Sequence, residues 1–405
     1  MKSATRNHII YFSILASIIL IFGGIEYYLH DTNIKVDNQP YNLSHYTHDG
    51  KPWSTPRLKN PRWTNPNTFK LAVAPYTIYK NAADQRTPYF TTNSKGFRGS
   101  KEFSSFSKKG KRIIVVGGSA AFGHGLPNDD DTFQAQMENL NSKYEVINAG
   151  VGGFYSGQEL TYVVTELVDY HPDIIIAFDG FNDLFWPWYA DRYSGRLLND
   201  TELGFNYNFL PFLEGHLVDS YQNRTSIFYS FRRFFNNVIE RSIILTKIRG
   251  EEKAKFPRQD KSARVSDDKK GLDKKRNEYF EKILNTYTNN LIKMNDFCHS
   301  RRIKFIVVFQ PELGQKSIIT DTEHNYLIWW PRAWNVDNYE KEFPQLYKRF
   351  ITQSKNILTK KGIDFIDIND YSEYKNNQNT LFLDFIHPNK SGNEIIAQII
   401  NEYIK

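Results

Sequence analysis

Residues Arg112–Gly125 read RIIVVGGSAAFGHG. An apolar run stops abruptly at two glycines and a serine. Ser119 sits among small residues, which leaves room for a substrate or ligand to reach its hydroxyl. Taken alone, such a serine is equally a helix cap or a turn residue. A phosphate loop is excluded because no Gly-Lys-Ser/Thr follows the glycines, and the dinucleotide fingerprint fails in its spacing.

Working outward, the same kind of run recurs. Arg112–Val116, Tyr144–Asn148 (YEVIN), Asp173–Asp179 (DIIIAFD), Arg302–Phe309 (RIKFIVVF) and Ile363–Ile368 (IDFIDI) read as strands. Helical patterns lie between or after them, at Phe133–Leu140, Gln158–Tyr170 and Ser391–Ile404. Continuous apolar runs alternating with helices predict a buried parallel sheet of about five strands in an α/β fold. No internal repeat is visible.

Upstream, Ile9–Ile25 is apolar and uncharged, with Lys2 and Arg6 before it and Glu26 and Asp31 after it. This predicts a transmembrane signal-anchor with a cytoplasmic N-terminus and an extracytoplasmic body, periplasmic or at the cell surface. It is preferred to a cleaved signal peptide because no A-x-A site follows and the run exceeds a usual h-region. The expected organisation is therefore residues 1–30 as N-terminus and anchor, 31–108 as stalk and irregular extension, and 109–405 as the main domain. The extension ends in a turn cluster, Asn93–Gly99. Within the main domain, 186–300 reads as a long, mainly helical insertion. There Ile227–Ile248 is an amphipathic helix, packed as a cap or resting on a membrane. Glu251–Arg276, charge-rich and poor in apolar residues, reads as an exposed loop.

Composition narrows the function classes. The chain has 405 residues, 40% hydrophobic and 24% charged, with 15% aromatic, a formal charge of +7 and a single cysteine. That charge is too dilute to argue for nucleic acid. One cysteine, Cys298, excludes an internal disulfide framework and a thiolate metal cluster, and fits a small core residue. His45 and His48 lack a plausible third metal ligand. No cofactor is expected.

In open α/β sheets, functional residues gather in the loops after the strands' carboxyl ends. Those loops offer Gly117-Gly118-Ser119, Asn148–Gly153, Gly180-Phe181-Asn182-Asp183 and Asp384-Phe385-Ile386-His387. A hydroxyl is a weak nucleophile and needs a base, which His387 can supply. The imidazole needs an orienting partner, and Asp384 is one turn away. Donors for an oxyanion are the backbone N–H groups of Ser119 and Gly153 and the side-chain amide of Asn182. Each piece alone has a bland reading as cap, turn or helix start. Their joint position at strand ends is the inventory of a hydrolytic serine site. His124 lies near the serine, as a cleft or loop residue.

These blocks resemble those of the SGNH hydrolases, the GDSL-like esterase and lipase superfamily. Gly117–Ala120 resembles the Ser block, Asn148–Gly153 the Gly block, Gly180–Asp183 the Asn block and Asp384–His387 the His block. Gly118 stands where many members carry Asp. The resemblance implies a flavodoxin-like three-layer α/β/α domain from about Lys111 to the C-terminus. It further implies Ser119 as nucleophile, His387 as base and Asp384 as orienting acid, with Gly153 and Asn182 completing the oxyanion hole. Gly152, adjacent, is an alternative donor. Membrane-anchored proteins of this kind often act on acyl groups of cell-envelope glycans, so an O-acetyl esterase is the expectation. Acyl transfer to a glycan, a non-catalytic glycan-binding protein and a lipase or thioesterase remain alternatives. The aromatic clusters Phe185–Tyr189 and Trp329–Trp334 read either as sugar-stacking walls or as core.

Overall fold

The computed structural model describes residues 70–194, 269–333 and 339–405. All belong to one compact unit. The expected anchor, residues 32–69, the Ile227–Ile248 helix, most of Glu251–Arg276 and Trp334 lie outside the described residues, as do the side chains of Trp329 and Trp330. Among the described residues, no helix is long and apolar enough to cross a membrane.

Two short strands, β1 (Leu71–Ala74) and β2 (Ile78–Asn81), pair antiparallel as a hairpin. The main sheet comprises β3 (Lys111–Gly117), β4 (Tyr144–Asn148), β5 (Ile174–Asp179), β6 (Lys304–Phe309) and β7 (Asp364–Asp367). All four pairings are parallel, in the order β4-β3-β5-β6-β7. The apolar runs are continuous because both faces are covered. Ile113–Val116, Ile175–Phe178 and Ile306–Phe309 are buried to the last atom.

Counting only these five strands, the order is 2-1-3-4-5, the flavodoxin-like winding. The chain leaves β3 in one direction and, after β4, runs back past it. With right-handed crossovers this reversal puts helices on opposite faces. On one face α2 (Phe133–Leu140) packs against the C-terminal α9 (Lys390–Ile404). On the other, α3 (Ser156–Thr165), α5 (Lys269–Ser300) and α7 (Tyr339–Lys360) lie side by side, with α4 (Phe181–Ser194) against α5 and α7.

Local signals explain the helix ends and faces. Thr132 caps α2 and Asn389 caps α9, the latter accepting from the Gly392 N–H at 3.0 Å. Ile396, Ile399, Ile400 and Ile404 form the buried stripe of α9. The α5 stripe is Tyr287, Leu291, Met294 and Cys298, all fully buried. Cys298 is a core residue whose thiol is pushed up to about 12 by burial.

The extension read as irregular carries the β1–β2 hairpin, whose four-residue strands are too short to show a period, and two further stretches differ from the sequence reading. Residues 269–276, read as the end of an exposed loop, are the first two turns of α5. The side chains of Asp273, Lys274 and Lys275 are exposed and charged, and buried apolar residues begin only at Tyr279. The helix read over Gln158–Tyr170 is split, α3 ending at Thr165 and a 3-10 turn covering Leu167–Tyr170.

The stretch before the sheet, from Lys70, packs closely on it. Tyr79 and Phe97 are fully buried, and the Arg98 N–H bonds the Asn148 carbonyl at the end of β4 at 3.1 Å. The Asn93 cluster is a turn: the Asn93 side-chain oxygen accepts from the N–H groups of Lys95 and Phe97, both at 3.0 Å.

Candidate active site

The loops that carry the site leave one edge of the sheet, astride the β3/β5 boundary where the winding reverses. β3 ends at Gly117 with φ +151°, and a Cβ there would collide with the Phe178 carbonyl. At Gly118 a Cβ would lie 2.5 Å from Asn182 Nδ2 and 3.3 Å from the Phe154 carbonyl oxygen. A larger side chain at position 118 needs the Asn182 amide to move aside. Ser119 then opens the single-turn helix α1 (Ser119–Phe122), which Gly123 closes at φ +79°.

Asp384 and His387 come from the loop between β7 and α9. Asp384 Oδ1 accepts the N–H groups of Ile386 and His387, both at 2.7 Å, closing the turn on itself. Asp384 Oδ2 lies 2.6 Å from His387 Nδ1, and His387 Nε2 lies 2.8 Å from Ser119 Oγ. A carboxylate can only accept, so Nδ1 donates to it and Nε2 accepts from the serine hydroxyl. Asp384 and His387 are buried and Ser119 is half-buried. Such a chain can take up the hydroxyl proton as the oxygen attacks a carbonyl carbon.

The Gly block forms a tight turn in which the Phe154 N–H bonds the Val151 carbonyl at 3.1 Å. Gly153 has φ +83°, which the third position of a type II turn demands. The Tyr79 hydroxyl donates to the Gly152 carbonyl at 3.3 Å. A trans peptide points its C=O and N–H oppositely, so the Gly153 N–H faces away from Tyr79. Asn182, in the first turn of α4, donates one amide hydrogen to the Phe154 carbonyl at 2.7 Å. The amide carries two.

Neighbouring residues fix these loops. Phe181, just before Asn182, and Phe385, just after Asp384, meet with ring centroids 5.9 Å apart. Both belong to an aromatic core with Phe185, Trp188, Tyr339 and Phe343. The Phe185–Tyr189 cluster is therefore largely packing rather than an open stacking wall: Phe185 and Trp188 are buried, Trp186 and Tyr189 half-buried. Asp183 accepts from the N–H and hydroxyl of Ser156, tying α4 to the start of α3. Burial raises the carboxyls of Glu159, Asp179 (to about 6) and Asp183 (to about 7), and proximity to Asp179 raises Glu159 and Asp183 further. His124 lies beside His387, ring centroids 5.3 Å apart. Among the described residues, no group of His, Cys, Asp and Glu is placed to hold a metal ion.

Sequence reasoning missed two contributors. Glu312 follows β6 in the fourth loop of the same edge, where the strand-end rule alone could have found it. It is buried, accepts from the Tyr339 hydroxyl at 3.0 Å, and its neighbour Leu313 donates to the Phe385 carbonyl at 3.0 Å. Burial pushes its carboxyl up to about 7. The second is Arg98, a charged residue in the turn cluster with no sequence sign of its buried position.

No known protein family matches the chain by sequence, and no curated protein does. Similar solved structures include an acetyl xylan esterase, AlAXEase, at 12% identity and TM-score 0.38, covering 73% of this chain and 100% of that one. A GDSL-like lipase from Bacteroides thetaiotaomicron matches at 14% identity and TM-score 0.38, covering 75% of this chain and 91% of that one. A catalytic mutant of an acetylxylan esterase from Geobacillus stearothermophilus matches at 12% identity and TM-score 0.38, covering 74% and 95%. At such identities and scores these likenesses carry no weight for activity, and the chemistry rests on the side chains themselves.

Proposed function

We propose that the chain is a serine esterase of the SGNH type, acting through an acyl-enzyme. The observation that carries this reading is the continuous hydrogen-bonded chain from Ser119 Oγ through His387 to Asp384. A protein that only bound its ligand would have no use for an oriented base against a serine hydroxyl.

In this reading Ser119 Oγ attacks the ester carbonyl carbon while His387 Nε2 takes its proton. Asp384 holds the imidazole's tautomer and stabilises its cationic form. The developing oxyanion is met by the N–H groups of Ser119 and Gly153 and by the second amide hydrogen of Asn182. His387 returns the proton to the departing alcohol, and water then releases the acyl group by the same steps. The N-terminal apolar segment supports an extracytoplasmic, membrane-anchored placement, where O-acylated glycans occur. We take an O-acetyl ester of such a glycan as the substrate class.

The test is hydrolysis of p-nitrophenyl acetate and octanoate by the full-length chain in mild detergent, wild type against Ser119→Ala. Loss of the nucleophile lowers turnover by about 10⁴-fold or more. Equal rates in the two proteins would remove Ser119 from the chemistry. Faster octanoate than acetate turnover would replace the acetyl reading with a lipase or thioesterase.

A further inference from the structure

We propose that Arg98, from the segment preceding the sheet, is a positioning residue that holds Ser119 in register with the Gly loop. The proposal rests on the reading of Ser119 as nucleophile. Arg98 Nη1 donates to the Phe122 carbonyl at 3.0 Å and to the Gly123 carbonyl at 2.5 Å. These carbonyls end the one-turn helix that Ser119 begins. Nη2 donates to the Asn128 carbonyl at 3.0 Å and more distantly to the Tyr89 carbonyl at 3.4 Å. Nε donates to Asp129 Oδ1 at 2.8 Å, and the guanidinium lies 5.0 Å from the Phe122 ring centroid.

The same residue reaches the other half of the site through its backbone. Its N–H bonds the Asn148 carbonyl, where β4 passes into the Gly loop. Asn148 in turn accepts the Gly150 N–H on its side-chain oxygen at 3.1 Å. Asn81, in the hairpin, adds a bond to the Gly150 carbonyl at 2.9 Å. The loop bearing Ser119 and the loop bearing Gly153 are thus both fastened to the segment Tyr79–Arg98.

A helix of one turn has no internal ladder to fix its orientation, so its end must be held from outside. The planar fork of an arginine can meet several carbonyls together with a carboxylate; an ammonium is a single point of charge. A buried cation facing several carbonyls and one carboxylate has its charge compensated where it stands. Gly123 is packed against it: a Cβ there would lie 3.1 Å from Arg98 Nη1.

The experiment measures phosphonylation of Ser119 by a fluorophosphonate probe in the full-length protein. Ser119 Oγ displaces fluoride from phosphorus, the P–O bond forming as P–F breaks, and His387 takes the hydroxyl proton. Compared with wild type are Ser119→Ala, Arg98→Lys, Arg98→Ala with and without millimolar guanidinium, and Arg112→Lys. Arg112 is another buried arginine, paired with Glu145 at the far end of β3.

Misplacing a nucleophile by a fraction of an ångström to an ångström costs about 10- to 100-fold. Labelling of Arg98→Lys is expected to slow by that factor, and added guanidinium to restore part of the rate to Arg98→Ala. Arg112→Lys, though destabilised, is expected to label at the wild-type rate while folded. Wild-type labelling rates in folded Arg98→Lys would overturn the proposal. So would an equal loss in Arg112→Lys, which would show general destabilisation. Undiminished labelling of Ser119→Ala, or none of wild type, would instead refute the underlying reading of Ser119, and the Arg98 role with it.

Discussion

Replacing Glu312 by Gln should change how stability depends on pH, with a sign the structure fixes. Glu312 is 1% exposed, and burial raises its carboxyl from 4.5 to about 7. Hydrogen bonds from Gly314, Gln315 and Tyr339 offset only part of that rise. Between those two pH values the folded protein keeps a proton that the unfolded chain has lost. Stability therefore falls as pH rises, and the contribution present below 4.5 is gone above about 7. At about 1.4 kcal/mol per pH unit, the gap corresponds to about 3 kcal/mol. Glutamine is neutral at every pH, and its one amide oxygen can still accept the Tyr339 hydroxyl. Glu312→Gln should thus be within about 1 kcal/mol of wild type at acid pH and more stable by about 3 kcal/mol at mildly alkaline pH. The raised carboxyls of Asp179, Asp183 and Asp367 are common to both proteins and cancel in the difference. Urea unfolding of the two proteins across this range gives that difference directly. Parallel stability curves, with a constant offset, would refute the reasoning.

Two further outcomes follow from the same contacts. Gly118→Ala should push the Asn182 amide away from the serine and lower kcat by about 10²- to 10³-fold, the cost of one oxyanion donor; steady-state kinetics with an unchanged circular dichroism spectrum checks it. Lys316 and Glu323 form a 2.7 Å ion pair with both side chains buried, and Glu323 Oε1 also accepts the Leu381 N–H at 2.8 Å. Glu323→Ala leaves the lysine charge facing only the Asn379 carbonyl and should cost about 3–5 kcal/mol, while Lys316→Met with Glu323→Leu should recover part of it, the Leu381 N–H still losing its acceptor. A cost of less than about 1 kcal/mol in urea unfolding would contradict the burial of this pair.

The sheet was legible because its strands are buried on both faces, so each is an apolar run that needs no partner to be recognised. Tyr144–Asn148 was read to the residue, and Lys304–Phe309, read as Arg302–Phe309, to within two residues. The Asp384–His387 turn was legible too, since its hydrogen bonds span two or three residues. The aromatic run after β5 was not decided by sequence: the same side chains serve a core or an open cleft, and only packing against Tyr339 and Phe343 chose the core.

What the sequence determined by itself is local: which segments are strands, and which loops hold serine, glycine, asparagine and histidine. Tertiary structure decided everything that depends on distance through space. It brought His387 to a serine 268 residues away and set the Asn182 amide where a Cβ on Gly118 would stand. It also buried Arg98, Glu312 and the Lys316–Glu323 pair. Charged residues ordinarily belong at the surface. Their burial is paid for by carbonyls, hydroxyls and counter-charges from other elements, and no window of sequence contains those partners.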